Sequence, residues 1–204
     1  MKRDEGKIRS FIAIELPVDI LQAIRSLQDQ LKAEKLNLRW VEPGNIHLTL
    51  KFLGDISPED LSPVSRAMEK AAEQVQIFEL HAKGIGAFPG LNRPRVVWAG
   101  IGGETESLGR LAGLLDLELM APGFEKEPIE KETRPFKGHL TFARAKEAVD
   151  PVRMTEFAGR FKTFKTPGFS VHEMVLFKSR LKSEGPVYEK LFEAPLGERA
   201  NPKI

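Results

Sequence analysis

The chain has 204 residues, 41% of them hydrophobic and 29% charged, with a net charge of +2. That length supports one generous domain with a real core, and so mild a charge permits a polyanionic partner without requiring one. The absence of cysteine excludes a disulfide framework, thiolate chemistry and any cysteine-held zinc, and no segment approaches the ~20 apolar residues of a membrane span.

The N-terminus opens on charged residues, Lys2 to Lys7, and the apolar run Phe11-Ile12-Ala13-Ile14 is too short for a secretory signal. A cytoplasmic location is the expectation. Ile8 to Ile14 reads as a first strand, and Pro17 opens a helix carrying Ile20, Leu21, Ile24, Leu27 and Leu31 at helical spacing. Leu36 to Val41 is extended, and Pro43-Gly44 turns the chain into a strand over Asn45 to Gly54. Ser57-Pro58-Glu59-Asp60 supplies a cap, a first-position proline and an acid three residues on, which predicts a second helix.

Two strands follow, Ile77 to Ile85 and Arg95 to Ile101, separated by a loop over Phe88 to Pro94. Thr105 is the expected cap of a third helix. Pro122 to Pro135 is polar and proline-rich, which predicts a long exposed loop, and Phe136 to Ala143 is a further strand. Asp150-Pro151 opens a fourth helix; Phe169 to Phe177 and Val187 to Phe192 are the last strands. Helices alternate with strands that also follow one another directly. That mixture favours an α+β fold with largely antiparallel sheets over a doubly wound parallel one.

Within Asn45 to Gly54, His47-Leu48-Thr49-Leu50 sets an imidazole and a hydroxyl on one face of a strand. His139-Leu140-Thr141-Phe142 repeats the pattern. By composition, two of four histidines followed at this spacing by threonine is a coincidence on the order of one in a hundred. The separation, near half the chain, suggests two related halves about a pseudo-two-fold axis, each giving one strand to a shared cleft.

Two histidines across a cleft suit general acid–base cleavage of a phosphodiester. One takes a proton from water, the other protonates the departing oxygen, and a pKa of ≈ 6.5 allows both states near neutrality. Thr49 and Thr141 can hold the non-bridging oxygens, and Arg144 can add charge-assisted bonds if the strand twists. Phe52 is equally suited to stack a nucleobase or to join the core, whereas Phe88 and Trp98 favour core. Lys131, Arg134, Lys137 and Lys146 surround the second motif with positive charge. His81 and His172 lack the threonine partner and are left out of the site. No P-loop, dinucleotide fingerprint, HExxH, nucleophile elbow or two-metal aspartate cluster is present, so the economical mechanism uses no metal and no cofactor.

The two motifs resemble those of the 2H phosphoesterase superfamily, and within it the RNA 2′,3′-cyclic phosphodiesterases, historically called 2′-5′ RNA ligases. The likeness takes in Arg9 to Ile14 with Pro17, Gly86-Ala87-Phe88-Pro89, Arg95 to Gly100, Ser179-Arg180-Leu181 and Gly185 to Tyr188. It implies a bilobal α+β fold, two largely antiparallel sheets flanked by helices around a central cleft. Residues 1–196 would form the single bilobal domain and 197–204 a flexible tail. It also implies hydrolysis of RNA 2′,3′-cyclic phosphate ends to 2′-phosphates, with reversal as 2′-5′ ligation. His47 would be the proton donor and His139 the acceptor, a direction the residues themselves do not give. Gly138 departs from the proline that relatives often carry there. Two alternatives stay open: a relative acting on another small cyclic nucleotide, and a non-catalytic RNA-binding module. No membrane and no obligate protein partner are implied.

Overall fold

The computed structural model describes residues 6–120, 136–183 and 185–197. The predicted loop from 122 to 135, with Lys131 and Arg134, lies outside them, as do residues 198–204. Gly197 is held, because its N–H bonds to the Val75 carbonyl at 3.0 Å.

The first strand, β1, is Ile8–Ile14, and α1 follows as Val18–Lys32 with Ile20, Ile24, Leu27 and Leu31 buried on one stripe. Next come β2 (Leu38–Trp40), a 3₁₀ turn (Pro43–Asn45) and β3 (Leu48–Ile56). Ser57 and Asp60 form the expected reciprocal cap, closing a 3₁₀ turn that leads into α2, Leu61–Ala72. β4 (Phe78–Phe88) and β5 (Val96–Gly103) precede α3, Thr105–Leu119. The cap of α3 is Glu104, not Thr105, and the Glu104 carboxylate instead accepts the Glu79 N–H of β4.

The chain closes with β6 (His139–Ala145), α4 (Pro151–Arg160), β7 (Phe169–Val171), β8 (Glu173–Lys182) and β9 (Gly185–Pro195). Asp150 caps α4 as expected, accepting from Val152 N–H at 2.9 Å. The expected strand from Phe169 to Phe177 is two strands, parted at His172.

The fold is α+β, and every strand pairing in its sheet is antiparallel. The order is β7-β4-β5-β6-β3-β1-β8-β9, with β2 beside the far end of β6. The two expected sheets are thus the two halves of one ladder. Their strands join at a single Cα pair, Leu48 of β3 with Leu140 of β6, both fully buried, and Gly197 beyond β9 bridges Gln76 ahead of β4. One apolar core lies on the face that carries Leu48 and Leu140. A smaller cluster of Phe11, Ala13, Val175 and Phe177 lies on the opposite face, here termed the site face.

Each half carries a β-bulge at the same offset from its histidine. Pairing with β1 runs from Ala13–Thr49 to Ile12–Lys51, skipping Leu50. Pairing of β5 with β6 runs from Trp98–Thr141 to Val97–Ala143, skipping Phe142. A bulge resets the alternation of side chains. Lys51 therefore turns to the core side, where it meets Asp116 of α3 at 2.9 Å, and Phe52 turns to the site face. Ala143 likewise turns inward, and Arg144 outward.

The second bulge is held by one buried side chain. Gln28 of α1, 1% exposed, donates both amide hydrogens, to the Val41 carbonyl at 2.7 Å and the Phe142 carbonyl at 2.9 Å. The Val41 N–H bonds to the same Phe142 oxygen. A buried amide is stable only when satisfied, and here it satisfies the carbonyl the bulge frees from the ladder.

Candidate active site

The two histidines are oriented alike. Nδ1 of His47 lies 3.0 Å from the Asn45 carbonyl oxygen, and Nδ1 of His139 lies 2.7 Å from that of Lys137. A carbonyl oxygen only accepts, so Nδ1 carries the hydrogen in both rings. Nε2 of each is left to take a proton when the ring is neutral, or to give one when it is charged. His139 is the first residue of β6, whereas His47 sits just ahead of β3 rather than within it. The Leu48–Leu140 pair, continued one residue each way in antiparallel register, sets His47 opposite Thr141 and Thr49 opposite His139. The two motifs thus meet across the seam on the site face.

Their surroundings differ. His47 is stacked on Phe11 at 4.6 Å between ring centroids, with Tyr188 edge-on at 5.3 Å and Phe177 at 6.4 Å. Burial among these rings pushes its pKa down to about 4, against the smaller upward pull of the Asn45 carbonyl. The free protein therefore holds His47 neutral at pH 7. His139 has Phe88 edge-on at 4.9 Å and Trp98 at 6.2 Å, and Lys137 Nζ lies 4.8 Å from the Trp98 ring centroid.

Cross-strand partners share a face, which yields rows of site residues. In the β6 half, Lys83, Gly100 and His139 form one row and Gly86, Trp98 and Thr141 the next. Phe88, Val96, Arg144 and Arg39 form the third. The Trp98 indole lies directly over Gly86, where a Cβ would come within 2.3 Å of it. In the β3 half, Phe52 sits 69% exposed beside Phe11, at 6.2 Å between ring centroids.

Known proteins bear on this geometry. Residues 14–98 match the family model "LigT like Phosphoesterase". An RNA 2′,3′-cyclic phosphodiesterase of Methanothermobacter thermautotrophicus is 31% identical over 182 residues, 89% of this chain and 95% of that protein. The chain belongs to the RNA 2′,3′-cyclic phosphodiesterase family of LigT-like phosphoesterases. Solved structures agree with the fold. A Thermus thermophilus protein superposes with a TM-score of 0.72 at 27% identity, covering 95% of this chain and 100% of that one. Escherichia coli LigT complexed with 3′-AMP gives 0.71 at 27% identity, covering 94% and 99%.

For this LigT-like phosphoesterase, the structure brings His47, Thr49, His139, Thr141, Phe52 and Arg144 to one face of the sheet. Lys137 adjoins that group, with Lys146 just beyond β6. Gly138 is packed closely, since a Cβ there would come within 2.9 Å of Leu108 Cδ2. Four residues went unread in the sequence. Asn45 orients His47 through its carbonyl, and its side-chain amide donates to the Pro186 carbonyl of β9 at 3.0 Å. Phe11 and Tyr188 wall the ring. Arg39 is the direct cross-strand partner of Arg144, and neither has a carboxylate partner among the described residues. Like charges set opposite each other cost stability, so such a pair is suited to an anion. The Tyr188 hydroxyl lies within the field of Arg144 and Arg9, although burial dominates and pushes its pKa up. Position in a late strand and the likeness over Gly185 to Tyr188 marked Tyr188 without giving it a role, and only pairing across 105 positions unites Arg39 with Arg144.

Among the described residues, one carboxylate cluster has the spacing for a cation: Glu15, Glu173 and Glu193. Lys190 already serves it, at 2.5 Å from Glu15 and 2.8 Å from Glu193, and these bonds push the lysine pKa up. No described helix is long and apolar enough to cross a membrane.

Proposed function

We propose that the protein hydrolyses the 2′,3′-cyclic phosphate end of RNA to a 2′-phosphomonoester, by acid–base catalysis from two histidines without a metal. The observation that carries this is the matched pair of imidazoles, each fixed through Nδ1 to a backbone carbonyl two residues back and each with Nε2 free. Binding alone does not call for two such groups. The relatives' names and the 3′-AMP complex of E. coli LigT support RNA as the substrate class.

In this reading, water bonds to phosphorus as His139 Nε2 takes its proton. The bond from phosphorus to O3′ breaks, and protonated His47 gives its Nε2 proton to O3′, leaving a 3′-hydroxyl and a 2′-phosphate. Thr49, Thr141 and Arg144 bond the non-bridging oxygens, and Phe52 stacks the terminal base. Run with a 5′-hydroxyl in place of water, the same steps form a 2′-5′ link. For His47 to act as donor, it must gain its proton with substrate, since an anionic phosphodiester beside the ring favours the charged form.

The neutral His47 of the free protein favours a second reading, in which the two roles are exchanged. A nucleotide p-nitrophenyl phosphodiester separates them, because its leaving group needs no proton. Activity on that ester should survive in the variant lacking the acid and vanish in the variant lacking the base. Survival in His47→Ala supports the first reading, and survival in His139→Ala the second. On an RNA 2′,3′-cyclic end assayed with chelator, both variants should lose nearly all turnover. Full activity in either, or strict dependence on added metal, would overturn the proposal. Thr49→Ala and Thr141→Ala should each raise the barrier by about 1–3 kcal/mol, as expected for one lost phosphate hydrogen bond.

A further inference from the structure

A cavity of about 520 Å³ begins one residue from His139, at Gly138, and lies between β4 and β5 of the β6 half and the first turns of α3. Lys83 and Gly100 line it, on the cross-strand row that continues to His139. Gly100 contributes no side chain, so the row is a trough two strand spacings long, about 10 Å between its end backbones. Trp98 walls one side, and Ile85 and Phe136 add apolar surface. Phe136 is 39% exposed, so part of its ring is open to a ligand.

Three lysines line this trough: Lys83, Lys137 and Lys162. None has a carboxylate within ion-pair distance among the described residues. Lysines are abundant on any surface, but three that share a cavity with exposed aromatic and apolar area, with no ion-pairing acid among the described residues, have the chemistry of a nucleotide site. The ammonium groups suit a phosphate, and the ring and aliphatic surface suit a ribose or base. The lining includes neither histidine of the pair and neither Thr49 nor Thr141.

We propose that this trough is a subsite for the second nucleotide of the RNA strand, the one on the 5′ side of the cyclic end. Lys83 and Lys162 hold its phosphate. Phe136 and Ile85 pack against its sugar and base. The inference rests on the cyclic phosphodiesterase reading above. It predicts that the enzyme measures more than the reacting terminus, and that the gain comes at one step in substrate length.

The test compares a mononucleotide 2′,3′-cyclic phosphate with a dinucleotide carrying the same end, at fixed salt. In the parent protein kcat/KM should rise about tenfold or more from one nucleotide to two. In Lys83→Glu/Lys162→Glu that rise should disappear, while Lys83→Arg/Lys162→Arg keeps it. A parent without the rise, or a well-folded double Glu variant that keeps it, overturns the subsite. A second measurement does not depend on turnover: equilibrium binding of a fluorescein-labelled trinucleotide ending in a 2′-phosphate. The Glu variant should bind about tenfold more weakly and with a shallower salt dependence. If the parent hydrolyses neither substrate, the functional reading fails, and equal affinity of parent and variant for the trinucleotide then overturns the subsite as well.

Discussion

A titratable ring with its pKa displaced by burial makes its own record in the stability of the protein. His47 takes up a proton near pH 6.5 when unfolded and near pH 4 when folded. Between those values the unfolded chain binds more protons, so stability rises with pH and is lost as pH falls from 6.5 toward 4. The expected loss from this one group between pH 7 and pH 5 is about 2 kcal/mol, read from urea unfolding at the two pH values. His47→Phe should remove that share of the slope; an unchanged slope would mean that the ring is solvated after all. Asn45 acts on the same ring from behind. Asn45→Ala leaves the backbone carbonyl that orients His47 but frees the turn from β9. The expected result is a kcat lowered about fivefold with KM nearly unchanged, equivalent to about 1 kcal/mol of lost positioning.

At the scale of the strand, the two bulges decide what the rows on the site face contain. With strict alternation from His47 and Thr49, Lys51 would face the substrate and Phe52 the core, and Arg144 would point inward. Skipping Leu50 and Phe142 reverses both assignments. Gln28→Leu removes the donor that holds the second bulge and leaves the Phe142 carbonyl with the Val41 N–H as its remaining partner. It should cost about 1–3 kcal/mol of stability in denaturant unfolding and lower turnover through Arg144. Wild-type activity in a correctly folded Gln28→Leu would show that the bulge stands without its prop. Gly86→Ala tests the neighbouring row. Its Cβ would collide with the Trp98 indole, and the expected signs are an altered tryptophan emission and a loss of about 1–3 kcal/mol from overpacking. The bulges also mark the limit of what the sequence discloses. The repeated His-x-Thr, the helix stripes and the Ser57–Asp60 and Asp150 caps are local patterns, and they were legible. A bulge is a mismatch between two strands, visible only when both are in register. For that reason Phe52 could not be assigned to a face, Arg39 carried no signal, and Tyr188 showed only its place in the family likeness and not its contact with His47.

Over the whole molecule, the halves share one uninterrupted core; their strands meet in one rung, Leu48 with Leu140, and Gly197 beyond β9 bridges Gln76 ahead of β4. Leu140→Ala should therefore do double damage. The loss of a fully buried leucine is expected to cost about 2–5 kcal/mol in denaturant unfolding, and the loosened rung should lower activity beyond what the stability change explains. A variant destabilised yet fully active at low temperature would show that the core, not the rung, sets the angle between the halves. The rung has a further meaning for the chemistry proposed above. In-line displacement at phosphorus also has an approximate two-fold axis, which exchanges the arriving oxygen with the departing one. A protein that repeats imidazole, hydroxyl and bulge about its own two-fold offers nearly the same groups to both oxygens. Such a site has little built-in sense of which oxygen arrives and which departs, and the choice between hydrolysis and ligation is left to whether water or a 5′-hydroxyl occupies the second position.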